Sequence, residues 1–392
     1  MKLRWSWMLV GLGLVTVGCA DDKLRHPVRI AVEMPLSSGD LIPVQVAQAA
    51  RLAIEDRQGM VCTYWDVSLT ERDESTPDEY ISEERVDRNT RFNIRNPEVA
   101  AVIGPFASRT AVQLLPATNL AGLLVLSPTN TNPCLTLDAP DCDLPDLRPS
   151  GVRNYGRFAP PDAVQGRAQA RFAASGASKR VYLTYIQDTY GLVIAGSVRS
   201  ELAALGATLV GDESYDRDAV DFEAMAARIV EAAPDVVLAE TFDEGGDLVL
   251  ALRALGYSGK MVFADGLFGY LPDLIGTEAA NGTYATTAGY APDALTGEAA
   301  AWATRFATRF GEAPDFYVLE AYMATVLALD AMEEACAAGS LPTDRAAVTR
   351  AALSSKQRQS LVGPYTMDAN GDFSAAGVAL YQVVGGQYVV VK

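Results

Sequence analysis

The chain has 392 residues, 49% of them hydrophobic and 21% charged, a balance that suits a folded globular protein with room for two domains. A net charge of −17, about −19 once Lys2 and Arg4 are lost with a leader, argues against nucleic acid and anionic membrane surfaces as partners. The single histidine, His26, leaves no internal imidazole for a Ser-His-Asp or Cys-His pair, and no P-loop, G-x-G-x-x-G or H-E-x-x-H run occurs. The sequence implies neither a metal nor a cofactor.

In chain order, residues 1–18 read as an export signal. Lys2 and Arg4 form a basic start, and Trp5 to Val17 is a mostly apolar run too short to span a bilayer comfortably. Thr16-Val17-Gly18-Cys19 resembles a bacterial lipobox, with Thr16 where leucine is usual. It predicts cleavage before Cys19 and a lipid on that cysteine, with residues 19–27 as a tether to the membrane. The alternative is an ordinary signal peptide. Ala20 after the cysteine is similar to lipoproteins sent to an outer membrane. Either way the protein is expected in the periplasm or cell envelope. Cys62, Cys134, Cys142 and Cys336 remain, an even number for an oxidising compartment, with three possible pairings. Cys134 and Cys142 flank a Pro/Asp-rich loop and are expected to close it, which leaves Cys62 with Cys336. The alternative is that some of the four are free buried thiols.

The body alternates strands and helices. Val28 to Met34 is a predicted strand, followed by a Ser37-Ser38-Gly39 loop. A helix is expected from about Pro43 to Arg57, with Val46, Ala47, Ala50, Ala53 and Ile54 on one stripe. Tyr64 to Thr70 alternates as a strand, and a charged helix follows. Val99 to Ile103 and Leu123 to Leu126 are short apolar strands. Ser108 and Thr110 open a helix between them, and Ser127-Pro128-Thr129-Asn130-Thr131 follows the second. Residues 132 to 154 are rich in Pro, Asp and Cys and read as an insertion, after which a strand resumes at Tyr155 to Phe158.

The second half is expected to run as helix Asp162–Ala174, strand Arg180–Tyr185, helix Gly191–Leu205, strand Ala207–Tyr215, helix Phe222–Ala233 and strand Val236–Ala239. Helix Gly245–Leu255 and strands Lys260–Phe263 and Gly282–Thr287 continue it. Helices Glu298–Phe310 and Asp315–Cys336 follow, and the tail reads as strand, turn and a hairpin turning at Val384 to Gly386. Such alternation gives parallel sheets with helices on both faces and all strand carboxyl ends along one edge, where ligands bind.

Two of those strand ends, "AVIGPFAS" and "LVLSPTNTNPCLT", together with the opening "VRIAVEMPLSSG", resemble the periplasmic leucine/isoleucine/valine-binding proteins of the type I periplasmic binding fold. The likeness runs from about Val28 to the C-terminus. It implies two doubly wound α/β lobes joined by a three-strand hinge, with a ligand cleft between them. By resemblance the hinge crossings fall near 155, 289 and 376. The N-terminal lobe would then hold residues 28–154 and 289–375, and the C-terminal lobe 155–288 and 376–392.

The resemblance also implies a zwitterion site. Ser108 matches the serine that contacts the ligand carboxylate, Thr131 the threonine that contacts both charged groups, and Thr129 the position whose carbonyl meets the ammonium. Each also fits ordinary capping or turn chemistry. Asp265, at the end of "MVFADG", matches the acidic residue that anchors the ammonium, here Asp rather than Glu. Tyr190 matches an aromatic that closes over the ligand, and Phe242 stands near the place of a family tyrosine. Glu240, Asp243 and Glu244 make that last loop acidic, which leaves a basic or polyamine ligand open. For Asp243 and Glu244 a solvated helix start is preferred. The loop "PLSSGDLIP" lacks a tyrosine common in the family, with Leu41 or Ile42 as candidates to fill its space, and Arg109 is an addition to the serine loop.

The expected function is therefore an exported substrate-binding lipoprotein of an ABC importer, not an enzyme. It would bind an amino acid of branched-chain type, or a related small amine or amide, and present it to a membrane permease. The alternative is a regulatory lipoprotein of the same fold that binds an envelope protein. Asp265 and Glu240 are carboxylates near the cleft, but with no histidine or metal motif beside them they give an enzyme little support.

Overall fold

Short buried apolar runs between amphipathic helices are stable as a parallel sheet covered on both faces. This chain builds that arrangement twice. A computed structural model describes residues 25–137, 142–176 and 180–391. The expected signal segment, Cys19 and residues 19–24 of the tether lie outside the described residues.

The first passage comprises β1 (His26–Met34), α1 (Leu41–Asp56), β2 (Met60–Val61), β3 (Trp65–Asp73), α2 (Glu83–Arg95), β4 (Val99–Ile103), α3 (Ser108–Leu120), β5 (Leu124–Ser127), α4 (Leu144–Leu147) and β6 (Tyr155–Arg157). The chain then crosses into a second lobe. That lobe holds α5 (Asp162–Ala173), β7 (Arg180–Ile186), α6 (Thr189–Leu205), β8 (Thr208–Tyr215), α7 (Phe222–Ala232) and β9 (Val236–Glu240). It continues with α8 (Gly245–Ala254), β10 (Lys260–Phe263), α9 (Leu271–Ile275), α10 (Thr277–Ala280) and β11 (Tyr284–Ala288). The chain returns for α11 (Gly297–Phe310), α12 (Val318–Ala337), α13 (Arg345–Ala352), β12 (Arg358–Ser360) and β13 (Gly363–Tyr365). It ends in the second lobe as the hairpin β14 (Val378–Val384) and β15 (Gln387–Val390).

The first sheet runs β2-β3-β1-β4-β5-β6 and the second β15-β14-β11-β10-β9-β7-β8. All neighbours are parallel except β2 on β3, β14 on β11 and β15 on β14. Both faces of the first sheet are buried. Val28, Ile30 and Val32 of β1 meet α1 and α12 through Val46, Ala50, Leu327 and Met332, while Ala31 faces Val86, Leu114 and Leu115 on the other side. With both sheets parallel at their centres, the carboxyl ends of β4, β5, β9 and β10 open toward the junction of the lobes.

The junction is held by backbone and one buried ion pair. Gly289 donates its N–H to the Gly377 carbonyl at 2.9 Å, joining two of the crossing strands. At the third, Arg157 is fully buried. It donates from Nε to Asp372 at 2.7 Å, and from its other nitrogens to the Asn132 carbonyl and the Thr136 hydroxyl, each at 2.6 Å. The insertion is tied to the first lobe by Arg148, bonded to the Asn370 carbonyl, and by Arg153, bonded to the Asp368 and Leu353 carbonyls. Disulfides join Cys134 to Cys142 and Cys62 to Cys336. Residues 138–141 of the insertion lie outside the described residues.

Three details depart from the periodicity reading. α1 starts at Leu41, two residues before Pro43, because Asp40 accepts the Ile42 N–H and caps it. α12 starts at Val318 rather than Asp315, because the Asp315 carboxylate takes the Phe316 N–H at 2.7 Å and Tyr317 adopts φ 65°. β2 and β12 are too short to show a pattern, and α13 was not expected; Asp344 caps it through the Ala347 N–H.

Gly104 ends β4 and starts the first cleft loop at φ +133°, with its missing Cβ position 2.3 Å from the Glu33 carbonyl oxygen. Gly104→Ala should therefore lower stability by about 2 kcal/mol or more, read as the urea midpoint. A variant as stable as the parent would contradict this packing.

Candidate functional site

On the first lobe two loops are stitched side by side. Ser127 donates its hydroxyl to the Pro105 carbonyl at 3.1 Å. The Thr129 hydroxyl and the Asn130 amide donate to the Phe106 carbonyl at 2.6 and 2.9 Å. Thr129 is buried, so its side chain is spent on the loop and only its backbone faces onward. Ser108 is the first residue of α3, where N–H groups lack intrahelical partners, and its Oγ accepts the Asn132 N–H at 3.3 Å. Thr131 is half-buried beside the start of α5; its carbonyl accepts the Asp162 N–H at 2.9 Å and its hydroxyl lies near enough to the Asp162 carboxyl to oppose its rise. Helix-start N–H groups flanked by hydroxyls suit a carboxylate ligand.

On the second lobe Asp265 opens the turn after β10. The Tyr190 hydroxyl donates to it at 2.9 Å and itself accepts the Gly266 N–H at 3.0 Å. Gly266 is required there, because a Cβ would lie 2.5 Å from the Thr241 carbonyl oxygen. Gln165 of α5 and Tyr317 of the first lobe lie beside Asp265 and temper the rise of its carboxyl. The Tyr190 ring stacks on Phe242 with centroids 5.0 Å apart. The structure thus gathers Asp265, Tyr190 and Phe242 on one lobe, and Ser108, Thr129 and Thr131 on the other. An aromatic contact between Phe268 and Phe316, centroids 4.9 Å apart, spans the lobes.

The electrostatics are one-sided. Burial pushes the Asp265 carboxyl above its ordinary value. Burial first, and then the Asp265 charge, raise Asp162 to about 7. Burial likewise raises Glu240 to about 8, with Asp265 and Asp162 adding to it, and Glu320 to about 7. Burial and the Asp265 charge raise both Tyr190 and Tyr317, so these phenols stay hydroxyl donors. A cluster of acceptors flanked by hydroxyls suits an ammonium. His26 stacks on Trp65 at the start of β1, far along the strand from this edge.

The neighbouring residues named above take other parts. Asp243 and Glu244 pair with Arg217, and Glu244 also accepts from the Tyr215 hydroxyl, so both serve the start of α8. Arg109 and Leu41 are exposed, and Ile42 packs on the first-lobe core. Tyr317, Gln165 and Asp162 are site residues that the sequence reading missed. Asp162, Gln165 and Gln169 were legible as a polar stripe at helical spacing on a helix that covers a sheet. Tyr317 was not, because only its left-handed backbone turns it to Asp265.

Two sheet lobes linked by three crossings, with charged and hydroxyl groups meeting at their strand ends, define a class of proteins that bind small ligands in an interlobe cleft. The profile of the family described as periplasmic binding protein matches residues 27–387, and the chain belongs to that family. It has the type I fold of the branched-chain amino-acid-binding members. It is 28% identical to the Leu/Ile/Val-binding protein BraC3 of Rhizobium johnstonii over 293 residues, 74% of this chain and 75% of the relative. Its fold is similar to that of the leucine-binding protein LivK of Thermotoga maritima, with TM-score 0.70 and 23% identity over 93% of this chain and 98% of the other. An ABC transporter substrate-binding protein of Desulfitobacterium hafniense in complex with Leu is also similar, with TM-score 0.74 and 20% identity over 93% of this chain and all 100% of the other.

The buried carboxyls set a pH dependence. Glu240 and Glu320, raised to about 8 and about 7, hold protons where the unfolded chain has lost them, so between about pH 5 and 8 stability falls as pH rises. Asp56 acts in the opposite sense, since hydrogen bonds from Arg305 and Tyr322 outweigh its burial, but its contribution is lost only below about pH 4. The ligand-free protein should show a lower urea midpoint at pH 8 than at pH 5.5, with Glu320→Gln shrinking the drop. A midpoint that rises over this range would contradict the burial of these groups.

Proposed function

We propose that this chain is an extracytoplasmic substrate-binding lipoprotein of an ABC importer, anchored through Cys19, that captures an amino acid or close relative by lobe closure. The observation that carries this reading is Asp265, a half-buried carboxylate held by the Tyr190 hydroxyl, with Tyr317 of the other lobe beside it and two hydroxyl-bearing loops opposite. Its place suits the α-ammonium, and Ser108, Thr131 and the backbone of Thr129 suit the carboxylate and remaining ammonium contacts. Tyr190 and Phe242 form the wall beside it. The relatives, a Leu/Ile/Val-binding protein and an ABC transporter substrate-binding protein in complex with leucine, support the same assignment. Ligand binding would favour the closed lobe arrangement, which a permease could read. Among the described residues no helix is long and apolar enough to cross a membrane.

A second reading is a regulatory lipoprotein of this fold that engages an envelope protein. The disulfide-closed insertion beside the first crossing favours it. The two are separated by thermal unfolding against the twenty amino acids, polyamines and short amides. A ligand at ~100 times its dissociation constant adds about 2.7 kcal/mol. Stabilisation by one chemical class supports the binding protein; none, from folded protein cleared of co-purified ligand, supports the regulator.

Asp265→Ala should cost about 2–5 kcal/mol of amino-acid affinity, roughly 30-fold or more, because it strips the ammonium of its counter-charge. Titration calorimetry on the variant checks this. Unchanged affinity would sink the assignment of Asp265.

A further inference from the structure

Near the Tyr190–Asp265 pair, four acceptor atoms are buried with no donor to meet them among the described residues. Asp162, Gln165 and Gln169 project from one face of α5, and Glu240 ends β9 beside them. Asp162 is 3% exposed and the other three are fully buried. Gln165 donates its amide to the carbonyl and hydroxyl of Thr286, both at 3.1 Å, and Gln169 donates to Glu240 Oε2 at 3.4 Å. Among the described residues, Asp162 Oδ1, Gln165 Oε1, Gln169 Oε1 and Glu240 Oε1 have no hydrogen-bond partner.

These atoms neighbour the Asp265 site. Asp162 and Glu240 each feel the Asp265 charge, and all three carboxylates act on the Tyr190 hydroxyl. Thr131 of the first-lobe loop accepts the Asp162 N–H through its carbonyl at 2.9 Å. The nearby cations are committed elsewhere: Arg157 to Asp372, Asn132 and Thr136, and Arg217 to Asp243 and Glu244.

We infer that the cleft selects an amino acid whose side chain ends in an amine or guanidine, with Glu240 and Asp162 receiving that distal head and Asp265 the α-ammonium. The inference rests on the reading of the cleft as an amino-acid site and adds the class of side chain. An ammonium offers three donors and a guanidinium five, with no acceptor in either, which matches a wall of acceptors. An aliphatic side chain would leave the same oxygens buried and unpaired, the unfavourable outcome for a polar group out of water. The stacked Tyr190 and Phe242 rings add a surface on which a flat guanidinium or its methylene stem can lie.

The opposing arrangement is a protonated Glu240 that donates to Gln169 Oε1 and closes the network without any ligand head. Calorimetry on the purified protein, cleared of co-purified ligand, decides between them. L-Arginine, L-lysine and L-ornithine are compared with L-leucine, L-isoleucine and L-valine, in the parent and in Glu240→Gln. The glutamine keeps the shape and the bond to Gln169, and its thermal midpoint confirms folding. The expected result is at least one cationic amino acid binding tenfold or more tighter than every aliphatic one, with that preference cut at least tenfold in Glu240→Gln. Tighter binding of an aliphatic amino acid, or a cationic affinity unmoved by Glu240→Gln, overturns the inference alone. Binding of no amino acid overturns the amino-acid reading and the inference together.

Discussion

A carboxylate taken out of water must be met by donors, and Asp265 dictates much of the geometry around it. Its neighbours come from three directions. Tyr190 donates to it from the start of α6, while Gln165 of α5 and Tyr317 of the opposite lobe stand beside it. Each neighbour constrains its own surroundings. The Tyr190 hydroxyl also takes the Gly266 N–H, which keeps that turn tight enough to exclude any side chain. Tyr317 sits in a left-handed conformation that a bulky residue rarely adopts, and the first turn of α12 is given up to hold it there. A first-lobe phenol set beside a half-buried carboxylate of the second lobe couples lobe position to the charge state of the site.

The fold supplies the frame for this contact. Parallel sheets place the ends of β4, β5, β9 and β10 at one junction, and the crossings fix how the two edges face. Arg157 matters most at the hinge, because one buried guanidinium joins the crossing strand, the returning strand at Asp372 and the loop that carries Thr131. Breaking such a pair leaves the other charge buried and unmatched, so the hinge and the first-lobe loop are expected to fail together.

Much of this was legible in the sequence. The apolar runs at 99–103, 123–126, 236–239 and 260–263 are short and bounded by Gly, Pro or polar residues, and each falls on a strand. The glycines at 385 and 386 take positive φ in the terminal hairpin, at the turn that the residue pattern predicted. Residues that end strands, such as Asp265, could be placed at the ligand edge from topology alone. What was hidden depends on tertiary structure. Tyr317 looks like an ordinary helix residue until its backbone angle is known. Glu240 reads as part of an acidic loop with Asp243 and Glu244, yet its side chain is buried with Gln169 while theirs go to Arg217. These nearby acids thus have different fates, because Glu240 ends β9 whereas Asp243 and Glu244 lie beyond it at the start of α8.

The central claim is that the two lobes share one ligand, with Asp265 at the ammonium and the Ser108 and Thr131 loops at the carboxylate. A crystal structure with the tightest-binding amino acid tests it most directly. The account predicts the α-ammonium within about 3 Å of the Asp265 carboxylate and the α-carboxylate against the start of α3. A ligand bound outside the cleft, or one whose ammonium lies away from Asp265, would contradict it.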